Sequence, residues 1–133
     1  MATQFSVAVR NAMLDAFEAT IGVSPILEIR SGTQPATCAT AASGTVLATL
    51  NLPSDWMAAA SAGAKALLGT WQDTSADATG TAAHFRISLA GVCGMQGTVT
   101  LTGGGGDMTL DSVSITAAQT VTVTSFTLTA GGA

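Results

Sequence analysis

The sequence predicts a mainly β protein, an antiparallel β-sandwich or jelly-roll-like domain with one N-terminal α-helix. The chain of 133 residues suffices for one domain with a single core. Only a segment near its start has the apolar period of a helix, whereas from residue 25 onward apolar residues alternate with threonine, serine and other small residues. Alternating strands pair in antiparallel sheets that have one covered face. We therefore expect a single domain over 1–133, with a helical segment at 1–24 and the β-sandwich at 25–133.

Residues 4–21 are expected to form the helix. Thr3 is placed to cap its start, and Gly22 stands where a left-handed glycine commonly ends a helix. Apolar side chains recur every four residues along one side, and this stripe consists of Phe5, Val9, Met13, Phe17 and Ile21, widened by Leu14. Such a stripe either covers the core, which is its more common use, or docks on another subunit. In the second case Phe5 and Val9 belong to an assembly interface.

Seven later segments alternate with the period of a strand and are separated by glycine, proline and polar residues. They are 26–30, 45–52, 65–72, 82–90, 94–103, 107–116 and 120–129. Residues 54–64 are alanine-rich, but Gly63 and the surrounding residues favour an irregular loop over a helix. We expect a bend at Asp111 and a flexible hairpin connection at the glycine-rich 102–107.

The last strand, 120–129, has two unusual features. Val121 and Val123 share one parity whereas Phe126 and Leu128 have the other, so a β-bulge at Thr124–Ser125 is needed to restore a common apolar face. The opposite side is a row of hydroxyls without the lysine that usually protects a sheet edge. The threonines of this row are predicted to form an assembly surface, and they are Thr120, Thr122 and Thr124.

Titratable side chains are too few and too dispersed to predict an enzyme, a metal site or a cofactor. His84 is the only histidine, and it is expected on a strand facing solvent or an interface rather than as a general base. Asp73, Ser75 and Asp77 alternate as in a calcium loop, but Ala78 and His84 stand where that loop needs glycine and glutamate. A polar surface loop is therefore the preferred interpretation.

Charge and hydropathy argue against two classes of partner. The formal net charge is −4, and the four cations are not clustered as nucleic-acid binding requires. Mean hydropathy is +0.48, yet no apolar run reaches the roughly 18 residues of a membrane span. No signal-peptide pattern is found at the start. In a chain without an export signal, Cys38 and Cys93 are expected to be free buried thiols rather than a disulfide.

Trp56 and Trp71 are the remaining conspicuous side chains. Tryptophans are usually core or interface anchors, and stacking on a sugar is the alternative. Trp56 follows Asp55 in the loop-like segment and is the better candidate for a surface position. It is therefore included in the predicted assembly interface, and a carbohydrate-binding module is a possible function of the chain.

Several segments resemble small proteins of tailed-bacteriophage structural gene modules. The resemblance spans essentially the whole chain, and its most specific parts are the helix, the turn IRSGTQPA (29–36) and the final strand pair. It implies a structural virion protein, not an enzyme, and brings no catalytic or ligand-binding residues. The leading hypothesis is a capsid decoration (cement) protein that binds the major capsid protein and copies of itself, as a trimer or dimer, in virions assembled in the host cytoplasm. A tail tube, terminator or fibre-associated subunit is the main alternative.

Overall fold

The computed structural model describes residues 3–132, which form curled, antiparallel-rich sheets and one α-helix. The mainly β, sandwich-like fold with an N-terminal helix is confirmed. The elements are α1 (Val7–Ile21), β1 (Ile26–Arg30), β2 (Val46–Asn51), β3 (Ala64–Ala66), β4 (Trp71–Asp73), β5 (Gly80–Thr81), β6 (His84–Leu89), β7 (Val92–Leu101), β8 (Met108–Leu110), β9 (Ser114–Ile115), β10 (Val121–Val123) and β11 (Thr127–Thr129).

Five strands form the main sheet, in the order β2-β1-β6-β7-β8, and the others pair as β10-β4, β11-β3 and β5-β9. β7 and β8 are parallel, and the remaining pairs are antiparallel. The side chains of one face of the main sheet are buried in the core, among them Leu27, Ile29, Phe85 and Ile87. The alternating sequence pattern thus identified the covered face but not the single parallel pair.

The glycine-rich segment 102–107 is not the hairpin that the sequence predicts. It folds back along β7, and Gly106 donates its backbone N–H to Thr100 Oγ1 at 3.0 Å. A Cβ on Gly104 or Gly106 would lie 2.8 Å from side-chain atoms of Thr100, so this close approach requires glycine. The chain therefore enters β8 running in the same direction as β7.

A row of aromatic rings crosses the core and connects α1 with the main sheet. Neighbouring ring centroids lie 5.5 to 6.0 Å apart, in the order Phe17, Trp56, Trp71, Phe126 and Phe85. The rings are tilted or edge-on, as aromatic pairs prefer. Since the row joins residues far apart in the chain, it fixes α1, the 54–64 segment and the last strands against one core.

The helix has the expected end but a different start. Ser6, rather than Thr3, is the N-cap, and its Oγ accepts the backbone N–H of Val9 at 3.2 Å. Gly22 ends the helix as expected and has a positive φ of 112°, but its ψ of −166° is not that of the predicted left-handed residue, and its N–H makes an ordinary i→i−4 bond to Glu18 O at 3.0 Å. The prediction of Thr3 as the cap was therefore wrong, because both serine and threonine can cap a helix and the helix begins at Val7 rather than at residue 4.

Three of the predicted strands are each divided into shorter ones, and the third of them is the last strand, described below. Segment 65–72 yields β3 and β4, and segment 107–116 yields β8 and β9 on either side of the bend expected at Asp111. The two-residue strand β5 was not predicted because two residues show no period. Residues 54–64 are irregular, as expected, with isolated bridges at Met57 and Ser61.

The last predicted strand contains a break rather than a bulge. β10 pairs with β4 whereas β11 pairs with β3, so the chain changes partner at 124–126. Val121, Val123 and Phe126 are buried, and Leu128 packs against the core. The shift of phase therefore does restore a common apolar side, but the chain achieves it by leaving one sheet for another.

Candidate functional site

Helix α1 docks on the β-domain largely through polar side chains. Three of them accept backbone N–H groups of the irregular 57–63 segment. Asn11 Oδ1 bonds Gly63 N at 2.9 Å, Asp15 Oδ1 bonds Ala60 N at 3.0 Å, and Glu18 Oε2 bonds Met57 N at 3.2 Å. The segment has few strand partners of its own, so these carboxylates and this amide satisfy its donors.

Ion pairs between a buried lysine and two carboxylates of α1 strengthen the same contact. Lys65 Nζ lies 2.7 Å from Asp15 Oδ1 and 3.0 Å from Glu18 Oε1, and the lysine side chain is 1% exposed. Burial acts to lower the pKa of Lys65, but the hydrogen bonds to Asp15 and Glu18 outweigh it and the pKa is raised. The hydrogen bond from Lys65, followed by that from the Ala60 N–H, lowers the pKa of Asp15. The charged forms of both partners are therefore favoured.

The opposite side of α1 is apolar and faces outward. Only part of the predicted stripe covers the core, since Leu14 is buried and Phe17 and Ile21 pack against the core. The outer members are 38–48% exposed, namely Phe5, Val9 and Met13. The stripe thus serves both of the uses that the sequence left open, with its C-terminal part as core and its N-terminal part on the surface.

A groove continues this outward apolar side. Val9, Met13, Ala16 and Thr20 are spaced along one side of α1, and the last two line a cavity of about 660 Å³ between α1 and the β6–β7 turn. We call this cavity the helix groove; it is lined by Ala16, Phe17, Thr20, Ile21, Leu89, Ala90, Val92, Cys93 and Gly94. None of these side chains carries a charge, so an apolar partner surface fits the groove.

The floor and rim of the helix groove are set by two features of β7. Gly94 lies so close to α1 that a Cβ on it would come 2.6 Å from Ile21 Cγ1, which lets the helix end pack on the strand. Val92 stands at the rim and is 71% exposed, the most exposed of the large apolar side chains in the described residues. An exposed aliphatic side chain indicates a contact surface when it belongs to a larger apolar patch. Val92 does so, because it adjoins the other apolar side chains of the helix groove.

The predicted threonine surface is exposed but lies on a different element. Thr120, Thr122 and Thr124 are all exposed. The first two line a shallow depression of about 200 Å³ beside β8, together with Asp111 and Gln119. The structure thus groups Thr120 with Thr122 and places Val9 on α1. Phe5 precedes α1 and donates its backbone N–H to Gly132 O at 2.7 Å, so the predicted interface residues do not share one surface.

Trp56 is not a surface residue, and its assignment to the interface was wrong. It is fully buried, and its Nε1 donates to Gly22 O at 2.9 Å. Trp71 is equally buried, and its Nε1 donates to Trp56 O at 3.1 Å. Neither ring can stack on a sugar, so the basis for a carbohydrate-binding module is lost. The loop-like sequence around Trp56 does not reveal that a helix-end carbonyl satisfies its indole.

His84 is also buried, contrary to the expected position at solvent or an interface. Its side chain is 0% exposed, and Nδ1 lies 3.0 Å from Gly32 O. Within residues 3–132 the buried Nε2 has no hydrogen-bond partner. The ring is therefore enclosed by the fold.

The alternating carboxylates of the 73–81 segment fasten a loop to β2. Asp73 Oδ2 accepts the backbone N–H of Thr49 at 2.9 Å, and Asp77 Oδ2 accepts the Thr49 hydroxyl at 2.6 Å. Across residues 3–132, no group of three or more histidine, cysteine, aspartate or glutamate side chains could hold a metal ion. The two carboxylates therefore have a structural use in the described part of the chain.

Cys38 and Cys93 form a disulfide, so the prediction of free thiols was wrong. Their Cα atoms are 5.4 Å apart, and the bond ties the loop 31–45 to the start of β7. The signal-peptide argument on which the prediction depended concerns the compartment and contains no information on the distance between the two residues. Because Cys93 also lines the helix groove, the disulfide fixes one side of that groove.

The loop 31–45 covers the outer face of β1 and β6 and is held there by arginines. Arg86 is 6% exposed and donates Nη2 to Thr40 O at 2.6 Å and to Thr37 O at 3.2 Å. Arg30 donates to Ser43 O at 3.2 Å and pairs with Glu28 at 3.1 Å. The polar cavity of about 460 Å³ beside this loop is therefore lined by charges that already hold the loop.

Sequence reasoning missed the helix groove, although one signal of it was present. The β6–β7 turn contains the apolar residues 89–92, LAGV, where turns are usually polar.

No family model, curated protein or solved structure matches the chain. Among the described residues, no helix has the length and apolar character that crossing a membrane requires.

Proposed function

We propose that this protein is a structural virion subunit that decorates a phage capsid, and that the helix groove with the outer side of α1 is its attachment surface. The observation that supports this most is the orientation of α1, which directs Asp15 and Glu18 to the 57–63 segment and leaves Val9 and Met13 on the outer side. A helix of a monomeric protein normally buries its apolar side. An outward apolar side next to an uncharged groove is the arrangement of a surface that another protein covers.

The remaining observations agree with a structural role outside the cell. The ion pair of Lys65, the His84 ring and the carboxylates of Asp73 and Asp77 all make internal contacts, which is consistent with structural uses for these side chains. The Cys38–Cys93 disulfide suits a protein that works in an oxidising medium, as a released particle does. The choice of a capsid rather than another assembly rests on the resemblance to proteins of phage structural gene modules.

The attachment surface can be tested with two substitutions on the same strand. Val92→Asp places a charge at the rim of the helix groove, and Leu101→Asp places the same charge at the far end of β7, where the side chain is 50% exposed. Both positions are open, so neither change disturbs the core. Purified wild-type and variant proteins would be added to capsids that lack the subunit, and bound copies would be counted by quantitative gel analysis and cryo-EM.

We expect Val92→Asp to reduce capsid affinity roughly tenfold to a hundredfold, because burying a valine contributes about 1.5–3 kcal/mol. Leu101→Asp should bind as the wild type does. Equal binding of wild type and Val92→Asp would contradict the groove as the attachment surface. Wild-type protein absent from the shell but present on the tail would replace the capsid role by the tail alternative.

A further inference from the structure

We propose that β11 is an open sheet edge that pairs with β11 of a second copy, giving a two-fold symmetric dimer. The hydrogen bonds between β11 and β3 define which backbone groups remain unpaired. Ala130 donates its N–H to Gly63 O at 2.9 Å, and Leu67 donates its N–H to Phe126 O at 3.0 Å. In an antiparallel ladder hydrogen-bonded positions alternate, so Leu128 is the β11 residue whose N–H and C=O point toward β3.

Thr127 and Thr129 consequently direct their N–H and C=O groups away from β3. In the described part of the chain no other strand or side chain pairs with these groups. Both side chains are exposed. Unpaired donors and acceptors in an open strand form a template for another strand.

The edge is complementary to itself, which favours a second copy as its partner. When two β11 strands run antiparallel about a two-fold axis at Leu128, Thr127 of each strand lies opposite Thr129 of the other. The backbone N–H and C=O groups of both residues point toward the second copy, so the two Thr127–Thr129 pairs exchange four backbone hydrogen bonds. Threonine pairs across strands are favourable, and residues 124–132 carry no charge that would repel the copy.

This inference adds a second contact surface to the proposed structural role. Only the biological use of the dimer rests on that role, whereas dimer formation itself does not. The dimer edge involves none of the residues that line the helix groove. The experiment needs purified protein and no capsid, so its failure and the failure of the capsid proposal can be told apart.

The register can be tested by mixing two single-cysteine variants. Tagged Thr127→Cys protein and untagged Thr129→Cys protein would be combined in the presence of oxidised glutathione and analysed on non-reducing gels. The described native cysteines are already bonded to each other and do not compete. In a hydrogen-bonded pair the Cα atoms are about 5.5 Å apart, a distance that a disulfide spans.

We expect the yield of the cross-linked mixed dimer to be at least about five times that of either cross-linked homodimer. Identical positions of the two strands lie roughly 8 Å apart in this register, which is too far for a disulfide. Thr129→Pro removes an outward N–H without a bond to β3, and it should lower the dimer fraction in analytical ultracentrifugation. Equal cross-linking of the mixture and of each variant alone would overturn the proposal. A wild-type protein that remains at the monomer mass of 13.1 kDa at millimolar concentration would overturn it as well.

Discussion

A buried lysine keeps its charge only if its partners lie within hydrogen-bond reach, and Lys65 has two such partners on α1. The carboxylates of Asp15 and Glu18 each bond the lysine and also a backbone N–H of the 57–63 segment. One ion-pair cluster therefore fastens both the helix and an irregular segment to β3. We expect the attachment of α1 to depend more on this cluster than on any single apolar side chain.

Lys65→Met tests this dependence, because methionine keeps much of the side-chain volume and removes the charge. We expect a measurable loss of unfolding free energy, smaller than for a fully buried pair because the Asp15 side chain is 51% exposed and remains solvated when the lysine is removed. Urea unfolding at neutral pH, followed by circular dichroism, measures it. An unchanged midpoint would mean that the cluster does not hold the helix.

The pH dependence of this loss follows from the two shifted pKa values. The pKa of Asp15 is lowered, so its contribution is present above about pH 4 and is lost as the pH falls through the folded-state value. The pKa of Lys65 is raised, so its contribution is present below about pH 10 and is lost as the pH rises further. The stability gap between wild type and Lys65→Met should thus be constant near neutrality and narrow at both extremes.

Individual burial is the property that the sequence predicted least well. Trp56 and His84 were both expected at a surface, and both are fully buried. Each makes a hydrogen bond to a backbone carbonyl that is distant in the chain, Gly22 O for the indole and Gly32 O for the imidazole. Local composition cannot indicate such partners, because they are set by how the elements meet.

At the scale of elements, periodicity predicted where strands occur but not which strands pair. All seven predicted segments contain strand residues, and the shift of phase after Val123 correctly located an irregularity. Whether an irregularity is a bulge or a change of sheet depends on the neighbouring strands, which the last strand itself does not encode. The parallel β7–β8 pair was not predicted for a similar reason. Its direction depends on how the glycine-rich loop folds back onto Thr100, which the strand sequences do not encode.

The loop 31–45 is the element most dependent on a covalent bond. The Cys38–Cys93 disulfide spans a sequence separation of 55 residues, for which chain entropy gives a stabilisation of up to about 4 kcal/mol and measured values are typically 2–4. We expect a reducing agent to lower the unfolding midpoint of the wild type by a corresponding amount. The double variant Cys38→Ser/Cys93→Ser should be equally destabilised and insensitive to the reductant, and sensitivity of that variant would show that another process is being measured.

At the scale of the whole molecule, the protein has few charged side chains that could form ionic contacts with a partner. Only 9% of its residues are charged, and the helix groove contains none. The sequence predicted this neutral surface directly, through its composition. It did not predict the position of the apolar patch, because a stripe on a helix has the same spacing whether it faces inward or outward.

The absence of charged side chains from the lining of the helix groove predicts a weak salt dependence of capsid attachment. Salt screens charge interactions over about 10 Å at 0.1 M and about 3 Å at 1 M, but it does not weaken apolar contacts. Occupancy of the subunit on capsids should therefore change less than about threefold between these two salt concentrations. A steep loss of bound subunits with rising salt, measured by gel densitometry, would indicate that ionic contacts hold the protein in place.

The disulfide between Cys38 and Cys93 also closes a covalent ring that contains β2 to β6 and the start of β7. The ring includes exposed connections, such as the residues around Ser61 and those around Ser75. A protease that cuts the backbone once at either of them divides the chain but not the molecule, because the two pieces remain joined through sulfur. Digestion in an open environment would thus leave the subunit in one piece for as long as that bond is oxidised.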